Sequence, residues 1–154
     1  MKKLTALLLA VLLVFGLAAC AGSPAEPNAK PGDTMTLQDI LTSITKDVAD
    51  LPDTETTELT KDNFEYFAFT AMPDGVEAIA ADALINAVAH SVVLMRAQDA
   101  ETAKKLAADV EANLNPAKWV CVEAEKTAVL VHNCTVLLVM SWSCLLYTSD
   151  AADD

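Results

Sequence analysis

The chain has 154 residues, of which 53% are apolar, and a formal net charge of −12. Two of the 10 basic and three of the 22 acidic residues lie in the stretches 1–19 and 144–154, so the part between them keeps 8 basic against 19 acidic side chains, a net charge of −11. That length fits one domain and not two. Because so few scattered cations cannot neutralise a row of phosphates, nucleic-acid binding is excluded as a leading function.

The first nineteen residues have the order of an export signal. Lys2 and Lys3 precede an almost wholly apolar run, Leu4 to Leu17. The run ends in Leu17-Ala18-Ala19, with two small residues directly before Cys20. This order is typical of a secretory signal. The apolar run has about fourteen residues, whereas a helix that crosses a bilayer needs roughly twenty, so we expect no permanent transmembrane helix here.

Leu17, Ala18, Ala19 and Cys20 together resemble the bacterial lipobox, in which the cysteine thiol receives a diacylglyceryl group and a peptidase then cuts just before it. The resemblance implies a lipoprotein whose Cys20 carries fatty acid such as palmitate, anchored on the extracytoplasmic face of the cell membrane. Each buried methylene contributes about 0.8 kcal/mol, so a diacylated cysteine would hold the protein stably. The alternative is ordinary signal cleavage that leaves Cys20 as a free thiol.

Two further segments lie outside the expected domain. Residues 20–33 contain the lipidation site followed by a stretch with three prolines, two glycines and no large apolar side chain, which predicts an extended tether of roughly 40 Å. Residues 144–154 resemble a translated sequencing adapter, so we expect them to be non-native; the alternative is a genuine polar extension. The folded domain is therefore assigned to residues 34–143.

The first element of the domain is a predicted helix. Its apolar residues recur at helical spacing between Leu37 and Leu51, with Thr36 placed as the N-cap and Pro52 ending the pattern. Residues 53–60 are rich in acidic and threonine side chains and are predicted to form a solvated loop. Thr60 could then cap a short helix.

Half of the chain's aromatic residues follow at once. They are Phe64, Tyr66, Phe67 and Phe69. Such a group could form a binding surface for a ligand, but in a small domain it is more simply the main contribution to the core.

The remaining elements alternate in type. Residues 76–88 satisfy a helix template and could equally hold a strand; Ser91 to Ala97 is an apolar run of strand length. A second clear helix follows Asp99 as its N-cap, with an inward apolar face and an outward charged face. Trp119 to Val122 is predicted as a strand, and two further strands flanking His132-Asn133 predict a hairpin.

This order predicts an α+β fold: a single domain with an antiparallel sheet of about four to five strands and two main helices packed on one face. The runs His90 to Arg96, Lys118 to Val122 and Val129 to Ser141 resemble a family of small Gram-positive lipoproteins known as a domain of unknown function. The resemblance covers roughly residues 36–141. It implies a strand near Val76 to Ala81 and implies no catalytic residues.

Four residues of the domain could carry chemistry. Cys121 and Cys134 could form a disulfide outside the membrane or stay as small buried thiols. Together with His90 and His132 they could be assembled into a zinc site, but their spacing lacks the close ligand pairs of structural zinc sites, so we expect no metal and no cofactor. His90 and Ser91 are adjacent, and on a strand they would point to opposite faces, which argues against a nucleophile and base pair.

Two hypotheses for function follow. The first is a non-enzymatic, membrane-anchored domain that binds an envelope protein or a ligand through its sheet face or its aromatic group. The second is a thiol- or metal-dependent envelope enzyme that uses Cys121, Cys134, His90 and His132. The absence of a nucleophile elbow, a phosphate-binding glycine loop and a His-Glu-x-x-His motif from the sequence favours the first.

Overall fold

The computed structural model of the protein describes residues 34–142. The predicted signal, lipobox, tether and non-native tail lie outside these residues. Three helices and five strands follow in order: α1 (Leu37–Thr45), β1 (Thr54–Glu58), α2 (Phe64–Ala68), β2 (Glu77–Ala83), β3 (His90–Arg96), α3 (Ala100–Asn113), β4 (Lys126–His132) and β5 (Thr135–Ser141). None of the helices within 34–142 is long and apolar enough to cross a membrane.

The five strands form one antiparallel sheet in the order β1-β2-β3-β5-β4. The closing hairpin is confirmed: β4 and β5 pair from Lys126 opposite Ser141 to His132 opposite Thr135. β2 pairs with β3 over six residues, which confirms the strand that the family resemblance implied near Val76 to Ala81. The α+β class and the antiparallel sheet are therefore as predicted.

Both longer helices begin where their caps were predicted. Thr36 accepts a hydrogen bond from the Asp39 amide at 3.1 Å, and Asp99 accepts one from the Thr102 amide at 2.7 Å. Each cap satisfies an amide that has no partner inside the helix. α1 ends at Thr45, six residues before the end of its apolar pattern at Leu51.

The two main helices cover opposite faces of the sheet, so the prediction that they share one face is wrong. α1 packs its Leu37 and Leu41 on Val92 and Leu94 of β3. α3, α2 and Trp119 pack instead on the alternate residues of the strands. This larger core contains Phe64, Ala80, Val93, Met95, Leu106, Val110, Val136, Leu138 and Met140. Because neighbouring residues of a strand point to opposite faces, these two sets cannot lie on the same side.

Two predicted local structures differ from the observed ones. Residues 54–58 form strand β1, which pairs with β2, although four of its five side chains are exposed and give no apolar alternation. Trp119 to Val122 is irregular and not a strand. In this segment the side chains of Lys118 and Trp119 are both buried, at 3% and 8% exposure. Consecutive buried side chains on one side are incompatible with the alternation of a strand.

Helix α2 is short and ends sharply. The Phe64 amide donates to the Thr60 carbonyl at 2.9 Å, while Thr60 does not cap the helix with its side chain; the residue at the N-cap position is Asn63. Phe69 adopts the left-handed conformation with φ of 60° and stops the helix.

Candidate functional site

A buried ion pair lies between the sheet and the segment after α3. The Lys118 Nζ atom is 2.9 Å from the Asp82 Oδ2 atom, and the two side chains are only 3% and 22% exposed. Lys118 also donates to the Ser91 Oγ atom at 3.0 Å. Asp82 and Ser91 are paired across β2 and β3, so one lysine joins both strands. We call these three residues, with the rings around Lys118, the Lys118 cluster.

Three aromatic rings surround the Lys118 ammonium group. Its Nζ atom is 5.2 Å from the ring centroid of Tyr66, 5.0 Å from that of Phe67 and 5.0 Å from that of Trp119. These distances allow cation-π attraction with each ring. Tyr66 and Phe67 also contact each other edge to face, with centroids 4.9 Å apart. Two of the four predicted aromatic surface residues are thus engaged by the protein's own lysine.

The other two aromatic residues of the predicted surface serve the core. Phe64 is fully buried, and Phe69 is partly buried against the larger core. Of the four, Tyr66 is the most open, with 57% of its surface exposed. These side chains do not form one open platform, because the core and the Lys118 ammonium group engage them.

The Lys118 cluster is suited to structure and not to nucleophilic chemistry. Burial lowers the pKa of the Lys118 ammonium group, while the charge of Asp82 and its hydrogen bond oppose that shift. Ser91 is fully buried and accepts a hydrogen bond from Lys118, so a substrate has no route to its hydroxyl group. Lys118 and Asp82 compensate each other's charge inside the fold.

This cluster could not be predicted from the sequence, because its two charged members are 36 residues apart. A local signal did exist. Asp82 is the one charged residue within the otherwise apolar run from Ala78 to Leu84. A charge on the buried face of a strand needs a partner, and Lys118 beside Trp119 is the cation that the fold supplies.

The residues of the predicted thiol or zinc site are not brought together. His90 pairs with Ser141 at one end of β5, and His132 pairs with Thr135 at the other. Seven-residue strands separate the two histidines by about 20 Å. Among residues 34–142 no group of three or more histidine, cysteine or acidic residues could hold a metal ion.

Cys121 is a free and exposed thiol, so the disulfide with Cys134 considered from the sequence is not formed. The reason lies in the topology. Lys118 fixes the segment before Cys121 to Asp82 and Ser91, at the sheet end where β4 begins. Cys134 lies in the turn at the opposite end, where its carbonyl accepts from the Ala97 amide at 2.8 Å. A disulfide requires α-carbons within about 7 Å.

His90 is a buried polar residue on the other face of the sheet, the face that α1 covers. Its side chain is 1% exposed, and its Nδ1 atom is buried without a hydrogen-bond partner in the described structure. Burial lowers the pKa of the imidazole, which favours the neutral ring; the nearby charge of Asp82 opposes this effect. The Oγ atom of Ser141, directly across from His90 on β5, is likewise buried and unpaired.

An apolar groove lies on the same face, between α1 and the edge strand β4. It has a volume of about 400 Å³, and most of its lining is aliphatic. We call it the β4 groove. Its aliphatic wall consists of Ile40, Ile44, Leu94, Leu130, Val131 and Leu137. Leu130 is 56% exposed although it lies in the middle of a strand. The hydrophobic pattern predicts the hairpin, but it does not indicate that one of its strands borders an open groove.

Comparison with known proteins gives no relative: no protein-family model, no curated protein and no solved structure matches the chain. The resemblance to a lipoprotein family therefore stays a prediction.

Proposed function

We propose that the protein is a lipid-anchored, extracytoplasmic binding domain that captures an extended apolar segment of an envelope protein in the β4 groove. The support for the anchor is the lipobox, Leu17-Ala18-Ala19-Cys20, at the end of a short apolar run. The single observation that carries the binding role is the open aliphatic groove along β4.

The two edges of the sheet differ in a way that favours β4 as the binding edge. β1 carries Glu55 and Glu58 among threonines, and charged side chains on an edge strand oppose pairing with another chain. β4 carries a charged side chain at Lys126 only, before a run of β-forming residues that includes Val129 and Leu130. No strand within residues 34–142 pairs with its outer edge.

The mode of binding follows from these two features. An extended peptide that adds to β4 would satisfy backbone groups of the edge, and its alternate side chains would enter the groove. Isolated apolar side chains on a surface need no explanation, but a continuous apolar groove beside an open edge marks an interaction site. Because residues 20–143 are strongly acidic, with 8 basic against 19 acidic side chains and a net charge of −11, a neutral or basic partner fits best.

The catalytic alternative has less support. It requires His90, His132 and the thiols to meet, and the described structure keeps the two histidines at opposite ends of the sheet. The buried Ser91 and Lys118 offer no accessible nucleophile.

Two experiments test the two halves of the proposal. Cells fed labelled palmitate should yield a labelled, membrane-bound protein, and Cys20→Ser should remove both the label and the membrane fraction. A wild-type chain that stays unlabelled and soluble would contradict the anchor.

For the binding half, a photo-crosslinking residue at position 130 should give crosslinks in intact cells that map to an extended apolar segment of a partner. Position 84 is the matched control, because Leu84 is also exposed, at 60%, and lies beyond the other end of the sheet. Equal crosslinking from both positions would contradict a role for the β4 groove.

A further inference from the structure

The outer edge of β4 presents a defined set of backbone groups. The Ala97 amide, just after β3, donates to the Cys134 carbonyl at 2.8 Å. In β5 the even-numbered residues therefore turn their backbone groups toward β3 and the odd-numbered residues turn theirs toward β4. The residues of β4 opposite those odd-numbered residues are even-numbered. The odd-numbered residues of β4 thus present their N–H and C=O groups outward: Thr127, Val129 and Val131.

The side chains of this edge have the chemistry that the β4 groove accepts. Leu130 lines the groove and is 56% exposed, whereas Val129 packs on the core at the other face of the sheet. Between Lys126 and His132 the strand carries no charged side chain. β4 is therefore itself an extended apolar segment, and every further copy of the chain carries the same segment. An open, uncharged strand edge is a template for pairing with another chain.

Two copies of β4 can pair antiparallel about a two-fold axis, the commonest symmetry of homodimers. Hydrogen bonding between their outward groups requires an odd-numbered residue opposite an odd-numbered one. With Val129 opposite itself, all seven residues of the strand overlap, and a shift of the pairing by two residues would shorten the overlap. This register places Leu130 opposite Ala128 of the second copy, a large side chain beside a small one. The axis is perpendicular to the sheet, so the two grooves lie on one face and join.

The charges of the two sheet edges favour β4 for this pairing. Lys126 lies at the end of its strand, so the two Lys126 side chains are about 20 Å apart in the dimer. That distance exceeds the Debye length of roughly 10 Å at 0.1 M salt. Glu55 and Glu58 give the other edge two charges. The net charge of −11 on residues 20–143 opposes association at long range, so salt should strengthen the dimer.

We propose that β4 of a second copy of this chain occupies the β4 groove when no partner is bound, which joins two five-stranded sheets into one. Each copy contributes its Leu130 to the joined groove. An envelope segment must displace the second copy, so self-association regulates access to the groove. This regulation rests on the proposed function only in that both use the same edge. Dilution dissociates the dimer and opens the edge to a partner.

The register is tested by disulfide capture in the full chain with Cys121→Ser, which removes the exposed thiol. Val129→Cys should give a disulfide-linked dimer on mild oxidation. A residue opposite itself in a bonded pair has its α-carbons about 5.5 Å apart, within the range of a disulfide. Val131→Cys is the matched control. Its side chain is more exposed than that of Val129, but in this register its two copies are about 14 Å apart, so it should give little dimer.

The equilibrium is tested by sedimentation of the lipidated full chain in density-matched detergent. The protein mass should rise toward twice that of one chain as its concentration increases, and added salt should lower the Kd. Leu130→Lys should keep the mass of one chain at every concentration. Leu84→Lys is the control at another exposed leucine, 60% exposed, and should dimerise as wild type does.

Three results would overturn the dimer: a wild-type mass that stays that of one chain, equal disulfide yields from Val129→Cys and Val131→Cys, or a Leu130→Lys variant that still dimerises. The proposed function can fail separately. A wild-type chain that stays monomeric but binds an apolar peptide along β4 would refute the dimer alone. A dimer whose dissociated chains bind no such peptide would refute partner capture alone.

Discussion

The Lys118 cluster should be a main determinant of stability, and Lys118→Met tests this. Methionine keeps most of the volume and the apolar stem but removes the ammonium group. Breaking a buried ion pair by removing one partner costs about 3–5 kcal/mol. Because Asp82 is 22% exposed and can be partly rehydrated, we expect the lower value, about 3 kcal/mol. Ser91 adds to this cost, because its fully buried hydroxyl oxygen loses the hydrogen bond that the Lys118 ammonium group donates.

This loss should be large on the scale of the whole domain. With an unfolding entropy of about 2.1 cal/mol/K per residue, the 109 residues from 34 to 142 give a decrease in Tm of roughly 13 °C. The assay is thermal and urea unfolding followed by circular dichroism. Lys105→Met is the matched control, since Lys105 is exposed on α3, and it should change stability by less than about 0.5 kcal/mol.

A double-mutant cycle identifies the cause. Lys118→Met combined with Asp82→Asn should be less destabilised than the sum of the two single variants, with a coupling energy of about 1–3 kcal/mol. If Lys118→Met lowers stability by less than about 1 kcal/mol, or if the two changes simply add, the ion pair does not stabilise the fold as described.

Three further predictions concern other parts of the domain. Asp99→Ala should lower Tm above pH 4, because it removes the helix cap. The hydrogen bonds from Thr102 lower the pKa of Asp99 below its ordinary 3.8, so the difference in Tm from wild type should shrink at lower pH. A difference in Tm that is constant down to pH 2 would contradict this. Leu138→Ala, at a fully buried position, should cost about 2–5 kcal/mol in urea unfolding, whereas Leu130→Ala at an exposed position should cost under about 1 kcal/mol; similar losses would contradict the placement of the two residues. Since burial lowers the pKa of His90 below its ordinary 6.5, wild type should lose stability as pH falls below 6.5, and His90→Gln should lose less over the same range; parallel curves would contradict a neutral buried imidazole.

The parts of the fold that could be predicted from the sequence are those with a strong local signal. Helix α3 has a capping aspartate, Asp99, and an apolar stripe, and β3 has an uninterrupted apolar run. β1 could not be predicted because its side chains are exposed. It is a strand because its backbone pairs with β2, and this pairing leaves no mark in the hydrophobic pattern.

The side of the sheet on which α1 packs is a second case. An amphipathic pattern shows that a helix buries one stripe, but it does not show against which face of the sheet. Leu37 and Leu41 would suit either face. The choice follows from tertiary structure, in which α3 and Trp119 already cover the other face.

The candidate sites depend even more on long-range contacts. The Lys118 cluster joins residues from four separate segments, and the β4 groove exists only because α1 leaves part of the sheet uncovered. The sequence predicted that the side chains of His90 and Ser91, as neighbours on a strand, point to opposite faces of the sheet. It could not show that both would be buried and that Ser91 would bind a buried lysine.

The most direct measurement of the central proposal is amide hydrogen exchange on β4 in the presence of a synthetic peptide of alternating threonine and valine flanked by lysines. We expect the β4 amides that point away from β5 to become protected and the β1 amides to stay unprotected. Leu130→Lys should abolish the protection, and Leu84→Lys should leave it intact. Protection of both edges alike, or protection that survives Leu130→Lys, would contradict binding in the β4 groove.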